Sequence, residues 1–342
     1  MGAARALSDQ DGTGVRYLIF GAGAVGGTIG GRLIEAGHEV ALIARGAHLD
    51  ELRHSGLRLQ RPDADHTYPV KVFGSPAEAD LGDADVVVMA MKTQHSSGAV
   101  ETLSAVASPE LPVVCAQNGV EGERLSLRHF PRTYAMCVRL PADHLEPGVV
   151  RSYGAPSSGV LDLGCYPSGT DELATTIASD LDTSGFSSRP VEAPMRAKYG
   201  KLVLNLANAL DALGGEEAKS SELAVRAREE AYEVLEQAGI DVATPTEDAE
   251  RLEGLLDRRP VDGRSKGGSS TWQSLARRTG SIETDYLNGE IVLLGRLHGL
   301  PTPVNAALQR EARKAALDGR PPASMSVAAL TTIVDAAVSA AA

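Results

Sequence analysis

The chain has 342 residues, with 33 Lys+Arg against 45 Asp+Glu and a formal charge of −12 at pH 7. That length exceeds one ordinary core and implies two domains, while 43% apolar and 23% charged residues are proportions of a folded rather than a disordered chain. The acidic balance argues against a nucleic-acid binder, and 4% aromatics leave few rings for stacking bases or sugars.

The first 14 residues (MGAARALSDQDGTG) read as a flexible extension without the apolar stretch that a signal peptide needs. Residues 16–20 (RYLIF) are an apolar run leading into GAGAVGG, the pattern of strand, tight turn and helix. The helix is expected over 24–36, stopped by Gly37. A second strand is expected at 38–45 (HEVALIAR), a short helix at 49–55 and a hairpin-like stretch over 56–72. Residues 85–91 (DVVVMAM) and 112–116 (PVVCA) are continuous apolar runs, as in parallel strands buried on both faces. Strands near 134–140 and 159–163 extend the series. The alternation indicates an α/β, doubly wound sheet of the Rossmann type over 15–189.

Composition changes at 188–194. Beyond it helical periodicity dominates, with helices expected at 197–213, 221–239, 249–256, 270–278, 283–299 and 305–317, so residues 190–342 read as an all-helical domain. Residues 258–270 are a Gly/Ser-rich loop. No stretch reaches the roughly 18 apolar residues of a membrane span; the Ala-rich end, 327–342, is interrupted by Asp335 and reads as a packed or frayed helix. The three cysteines, Cys115, Cys137 and Cys165, form no CxxC pair, and the eight histidines show no metal-ligand spacing, so no metal is expected and a reducing cytoplasm is.

Gly21-Ala22-Gly23-Ala24-Val25-Gly26 fits the dinucleotide fingerprint GxGxxG, directly after a strand and opening a helix. Gly21 allows the tight turn, Gly23 lets the backbone approach a pyrophosphate, and Gly26 lets helix and strand pack closely. Ala24 and Val25 lie in the first turn, whose free N–H groups face the phosphates. At the end of the second strand an acid would bind a ribose 2′-hydroxyl. Here stands Arg45, which suits a 2′-phosphate, so NADP(H) is favoured over NAD(H).

Lysine occurs only seven times. Lys201 lies in the apolar run YGKLVLNLANAL, with Asn205 and Asn208 four and seven residues on, all on one helical face. This resembles a polar pocket wall, although a snorkelling lysine with two surface asparagines reads the same way. A positioned ammonium can polarise a ketone and protonate the alkoxide formed on reduction. Lys92 follows a strand at its carboxyl end, where open α/β sheets bind ligands. Asn118 sits in Gln117-Asn118-Gly119, either a turn or a site residue. Glu283 opens a helix, where an acid is ordinary dipole chemistry or part of a site. Ser269 or Ser270 is a candidate N-cap of the next helix.

The segments FGAGAVGG, LIARGAHLDEL, MAMKTQ, AQNGVE, LEPGVV, the Lys201–Asn205 helix, SSTWQSLARR and ETDYLNGEI, in this order over residues 16–320, resemble the ketopantoate reductase (2-dehydropantoate 2-reductase) family. The resemblance implies an NADPH-dependent reductase of a 2-oxo acid, of the pantothenate-biosynthesis type. Its helical domain would be of the 6-phosphogluconate dehydrogenase-like kind, with the cofactor between the two domains, in a homodimer. It implies Lys201 as general acid and Glu283 as the group orienting it or contacting the ligands. Asn118 and Lys92 would hold the nicotinamide end and the substrate side. Asn205, Asn208 and Ser270 would bind the substrate, and Ala142 would make a backbone contact to the cofactor. The chain departs from the family pattern on the substrate side. Ala209 replaces a second asparagine, with Asn208 one residue early; Thr271 and Ser274 replace a methionine and an acid; and the stretch to Glu283 is one residue longer. Two alternatives follow: a reductase of a different oxo acid in a specialised pathway, or a non-catalytic NADP(H)-binding sensor.

Overall fold

The computed structural model describes residues 14–341, so the expected N-terminal extension lies outside the described residues apart from Gly14. The chain begins β1 (Arg16–Phe20), α1 (Ala24–Glu35), β2 (Glu39–Ile43) and α2 (Gly46–Ser55), then β3 (Leu57–Gln60), β4 (Asp65–Tyr68) and β5 (Lys71–Phe73). It continues through β6 (Asp85–Met89), α3 (Ser96–Ser104), β7 (Val113–Cys115), α4 (Glu121–Leu127) and β8 (Thr133–Arg139). The hairpin β9 (Ala142–Glu146) and β10 (Val149–Ser152) follows, then β11 (Gly154–Pro156), β12 (Val160–Cys165) and α5 (Glu172–Thr183).

These strands form a seven-stranded sheet in the order β12-β8-β7-β6-β1-β2-β5, parallel except for β12. Alternate residues of each central strand feed opposite faces. Tyr17, Ile19, Val86, Val88 and Val114 pack with α1 and α5, whereas Leu18, Phe20, Val87, Met89 and Val113 pack with α3. Burial on both faces explains why these strands read as unbroken apolar runs. Chain order reverses between β1 and β6, which opens a crevice at their carboxyl ends.

A second sheet, β4-β3-β10-β9, packs on the other side of α1. The helix AVGGTIGGRLIE is therefore enclosed between two sheets, and its glycines reflect this. A Cβ on Gly30 would meet Leu42 at 2.8 Å, and one on Gly27 would meet Val150 at 2.6 Å. Of this sheet only the β3–β4 hairpin is foreshadowed by the expected hairpin over 56–72.

The second half comprises α6 (Pro194–Asn205), α7 (Ala207–Lys219), α8 (Glu222–Gln237), α9 (Pro245–Leu252), β13 (Leu256–Arg258), α10 (Ser270–Ala276), α11 (Asn288–His298), α12 (Pro303–Leu317) and α13 (Val327–Ala341). Three expectations need correction. The helix over 197–213 is two helices meeting at Leu206, whose carbonyl accepts a hydrogen bond from Asn288 Nδ2 at 3.2 Å. The helix over 249–256 starts earlier, at a Thr244–Glu247 capping box with Pro245 in the first turn, and ends before Gly254, which has φ +68°. Leu256 then joins β13, a strand within the otherwise helical half, which pairs with β11. The helix over 283–299 is a 3-10 turn, Glu283–Tyr286, and then α11, separated at Leu287.

Candidate active site

The crevice between β1 and β6 holds the glycine loop. Gly21 has φ +104°, and a Cβ there would lie 2.6 Å from the Met91 nitrogen; one on Gly26 would lie 2.1 Å from the Gly21 carbonyl oxygen. Neither position accepts a side chain. Gly23 is the opposite case, since a Cβ there meets nothing within 4 Å. It is the N-cap of α1, and no side chain caps the helix, so the first-turn amides of Ala24, Val25 and Gly26 remain available to an anion. This geometry fits a pyrophosphate. Arg45 stands exposed as the N-cap of α2, with no ion pair among the described residues.

His48, on α2, ties the loop down. Its Nε2–H donates to the Ala22 carbonyl at 2.7 Å, and its Nδ1 accepts from the Gly148 amide at 2.9 Å. With both nitrogens engaged this way the ring is neutral. Burial, then the neighbouring His144, push its pKa down to about 4.

Lys201 projects from α6 to the ends of β7 and β8. Its ammonium donates to Asn118 Oδ1 at 2.8 Å and to the Val138 carbonyl. An ammonium has three protons, so one remains for a ligand. Burial is the main cause of its low pKa, about 7 against an ordinary 10.5. Asn205, one turn on, is a half-buried residue whose Nδ2 is buried without a partner. An orphan donor of this kind needs an acceptor from outside the chain. Asn208 lies across the Leu206 break on α7, and its carbonyl accepts from Ser269 Oγ at 3.4 Å.

Glu283 is buried. Its Oε1 accepts from the Thr93 amide at 3.1 Å and the Thr93 hydroxyl at 3.3 Å, which fastens the helical half to the end of β6. It acts on Lys201 through its charge, not through a hydrogen bond. Lys92 donates to Ser274 Oγ; burial lowers its pKa, Glu283 opposes that shift and Arg277 adds to it. Ser269 is the N-cap of α10, accepting from the Trp272 amide, so Ser270 lies in the first turn of the helix. Ala142 opens β9 and is buried.

One residue that sequence reasoning passed over organises the floor. Lys198, also on α6, forms a buried ion pair with Glu123 at 2.5 Å. It also donates to the Gln117 carbonyl at 3.0 Å and to those of Cys115 and Met136 at 3.4 Å. It thereby fixes the turn that presents Asn118. The signal was a second lysine three residues before Lys201, but its partner lies far away in the chain. A hollow of about 510 Å³ lies elsewhere, lined by Arg32, Arg61 and Arg259; Arg32 is paired with Glu35, and Arg61 with Glu35 and Asp63. Among the described residues no group of His, Cys, Asp and Glu is arranged to hold a metal, and no helix is long and apolar enough to cross a membrane.

Comparison with known proteins matches residues 17–168 to the profile of ketopantoate reductase PanE/ApbA and residues 194–316 to that of its C-terminal part. A 2-dehydropantoate 2-reductase of Mesorhizobium japonicum is 30% identical over 89% of this chain and 98% of its own. One from Pyrococcus horikoshii is 24% identical over 86% of this chain and 95% of its own. Among solved structures, a PanE/ApbA family ketopantoate reductase from Ralstonia eutropha superposes with TM-score 0.73 at 28% identity, over 90% of this chain and all of that one. A D-mandelate dehydrogenase solved with NADH and anilino(oxo)acetate gives TM-score 0.76 at 22% identity over 89% and 99%, a likeness of fold.

Proposed function

The chain belongs to the ketopantoate reductase family, and from that premise we propose that it reduces a small 2-oxo acid, ketopantoate (2-dehydropantoate) or a close analogue, with NADPH as reductant and Lys201 as general acid. The observation that carries this reading is the Lys201 ammonium, held by Asn118 and the Val138 carbonyl, with a pKa near 7 and one proton unassigned. A general acid works best with a pKa near the working pH.

A reduced nicotinamide held there would supply hydride to the carbonyl carbon. Lys201 polarises the carbonyl oxygen and protonates it as negative charge develops there. The Asn118 carboxamide and the Val138 carbonyl aim the ammonium. Asn205 Nδ2, orphaned in the protein, offers a hydrogen bond to the substrate's carboxylate or hydroxyl, and Asn208 and Ser270 complete that side. Glu283 holds Thr93, and so Lys92, at the end of β6, and its charge sustains the ammonium form of both lysines. Gly21, Gly23, Ala24, Val25 and Gly26 would hold the pyrophosphate, Ala142 would make a backbone contact to the cofactor, and Arg45 would take the 2′-phosphate. A homodimer is part of the same proposal, and light scattering on the purified protein tests it.

The deciding experiment is a panel of 2-oxo acids, ketopantoate included, followed by NADPH absorbance. We expect NADPH oxidation with at least one member. Tight NADPH binding with no turnover on any of them would replace the enzyme by a sensor. A different oxo acid as the true substrate is favoured by one observation: Ser274, which stands where the family pattern has an acid, accepts from Lys92 on the substrate side.

Arg45→Ala is expected to weaken NADPH binding about 10–100-fold, the loss of a charge-assisted phosphate contact, and to leave NADH almost unchanged. Titration by nucleotide fluorescence measures both. Equal losses for the two dinucleotides exclude the 2′-phosphate role.

A further inference from the structure

Arg277 caps the C-terminus of α10, in the helical half. One turn earlier, Ser274 Oγ accepts from Lys92, which pins α10 over the end of β6. Arg277 Nη1 donates to the His144 carbonyl on β9 at 3.1 Å. The His144 ring packs against His48 with centroids 4.1 Å apart, and His48 holds the Ala22 carbonyl of the glycine loop. These contacts tie α10 and Arg277 to the end of β6 on one side and, through two packed rings, to the glycine loop on the other, the two walls of the crevice.

There Arg277 has no carboxylate within ion-pair distance among the described residues. Lys92 is a neighbour of like charge, and the acid whose field reaches Arg277, Asp143, is already engaged by Tyr153 at 2.6 Å and Arg151 at 3.7 Å. The residue is exposed, and partial burial of its guanidinium lowers its pKa. A desolvated cation beside another cation is unfavourable until an anion arrives. His144 occupies one donor of the guanidinium fork, and the others remain for that anion.

We propose that Arg277 is a cofactor-binding residue that reaches from the helical half to the pyrophosphate cradled by the glycine loop. The inference rests on the dinucleotide reading above. It gives the ligand contacts on both halves, Gly23 to Gly26 from below and Arg277 from above, and separates two anion sites: Arg277 for the pyrophosphate common to all nicotinamide dinucleotides, Arg45 for the 2′-phosphate.

The test is equilibrium titration of wild type, Arg277→Gln and Arg277→Lys with NADPH, NADH and adenosine 2′-monophosphate, with the melting temperature of each ligand-free protein as a folding control. Arg277→Gln should weaken NADPH and NADH by the same factor, about 10–100-fold, and leave adenosine 2′-monophosphate unchanged. Arg277→Lys should recover part of the loss, and the salt dependence of NADPH binding should flatten in Arg277→Gln. Unchanged affinities in a folded Arg277→Gln overturn the proposal. So does a loss confined to NADPH and adenosine 2′-monophosphate, which would move Arg277 to the 2′-phosphate. A wild-type protein that binds neither dinucleotide overturns the parent reading together with this one.

Discussion

Lys201→Ala is expected to lower kcat for oxo-acid reduction by about 10²–10⁴, the usual contribution of a positioned general acid, while NADPH affinity stays within about threefold of wild type. The split follows from geometry. Lys201 touches Asn118 and the Val138 carbonyl at the ends of β7 and β8, whereas the glycine loop and Arg45 lie at the ends of β1 and β2. The same ammonium sets a pH signature. Its pKa is lowered, to about 7, so the protonated form is lost as pH rises through about 7. In the direction of reduction, kcat/KM, which reports the free enzyme, should be flat below that pH and decline above it. In the direction of alcohol oxidation the neutral amine is the required base, and the profile should rise over the same range. Steady-state kinetics across pH 5–10 check both limbs, with the range chosen to bracket about 7. Full turnover by Lys201→Ala, or identical limbs in both directions, would remove Lys201 from the proton-transfer role.

Lys198→Met is expected to destabilise the fold by about 3–5 kcal/mol, the cost of leaving one member of a buried ion pair alone. Lys198 and Glu123 are both buried, and the ammonium also serves three backbone carbonyls. Burial raises the Glu123 pKa, while Lys198 is the main opposing influence. Without Lys198 the carboxyl group moves toward its protonated form, so the loss should be smaller in acid, where protonation is easier. Replacing both partners, Lys198→Met with Glu123→Leu, should restore much of the stability, because two apolar groups have no charge to desolvate. Denaturant melts of the two single variants and the double give the coupling directly. Additive losses would mean that the pair is not coupled and that the carbonyl contacts of Lys198 account for its effect.

The sequence made the glycine loop, β1, α1 and the lysine at the end of β6 legible because each has a local cause: a steric need for glycine, a continuous apolar run, a strand end. Lys201 stood out as a charge in an apolar helix. Lys198, three residues before it, did not, because its meaning depends on Glu123, which only the folded chain brings near. The hairpin β9–β10 was hidden for a similar reason. Its second strand, β10, pairs with β3, far earlier in the chain, and the local mark is a turn at Gly148 with φ +75°. The break at Leu206 has no glycine or proline to announce it. A side chain from another helix, Asn288, takes the Leu206 carbonyl, so tertiary bonding overrides local helical propensity. Glu283 was a candidate site residue in the sequence, but its partner Thr93 and its place in a 3-10 turn were visible only in three dimensions.

The seam between the halves constrains how the cleft can open. It contains the buried Lys198–Glu123 pair, an Arg124–Glu290 pair in which Glu290 is buried, and the β11–β13 ladder. A rigid hinge rotation would separate buried charges and unzip a sheet, which is far costlier than shifting a surface segment. Residues 259–269 are exposed along most of their length, but their end is anchored where the Ser269 amide donates to the buried Asp211 carboxylate. The two halves therefore form one continuous bed for a ligand, held together by contacts that a rotation between them would have to break.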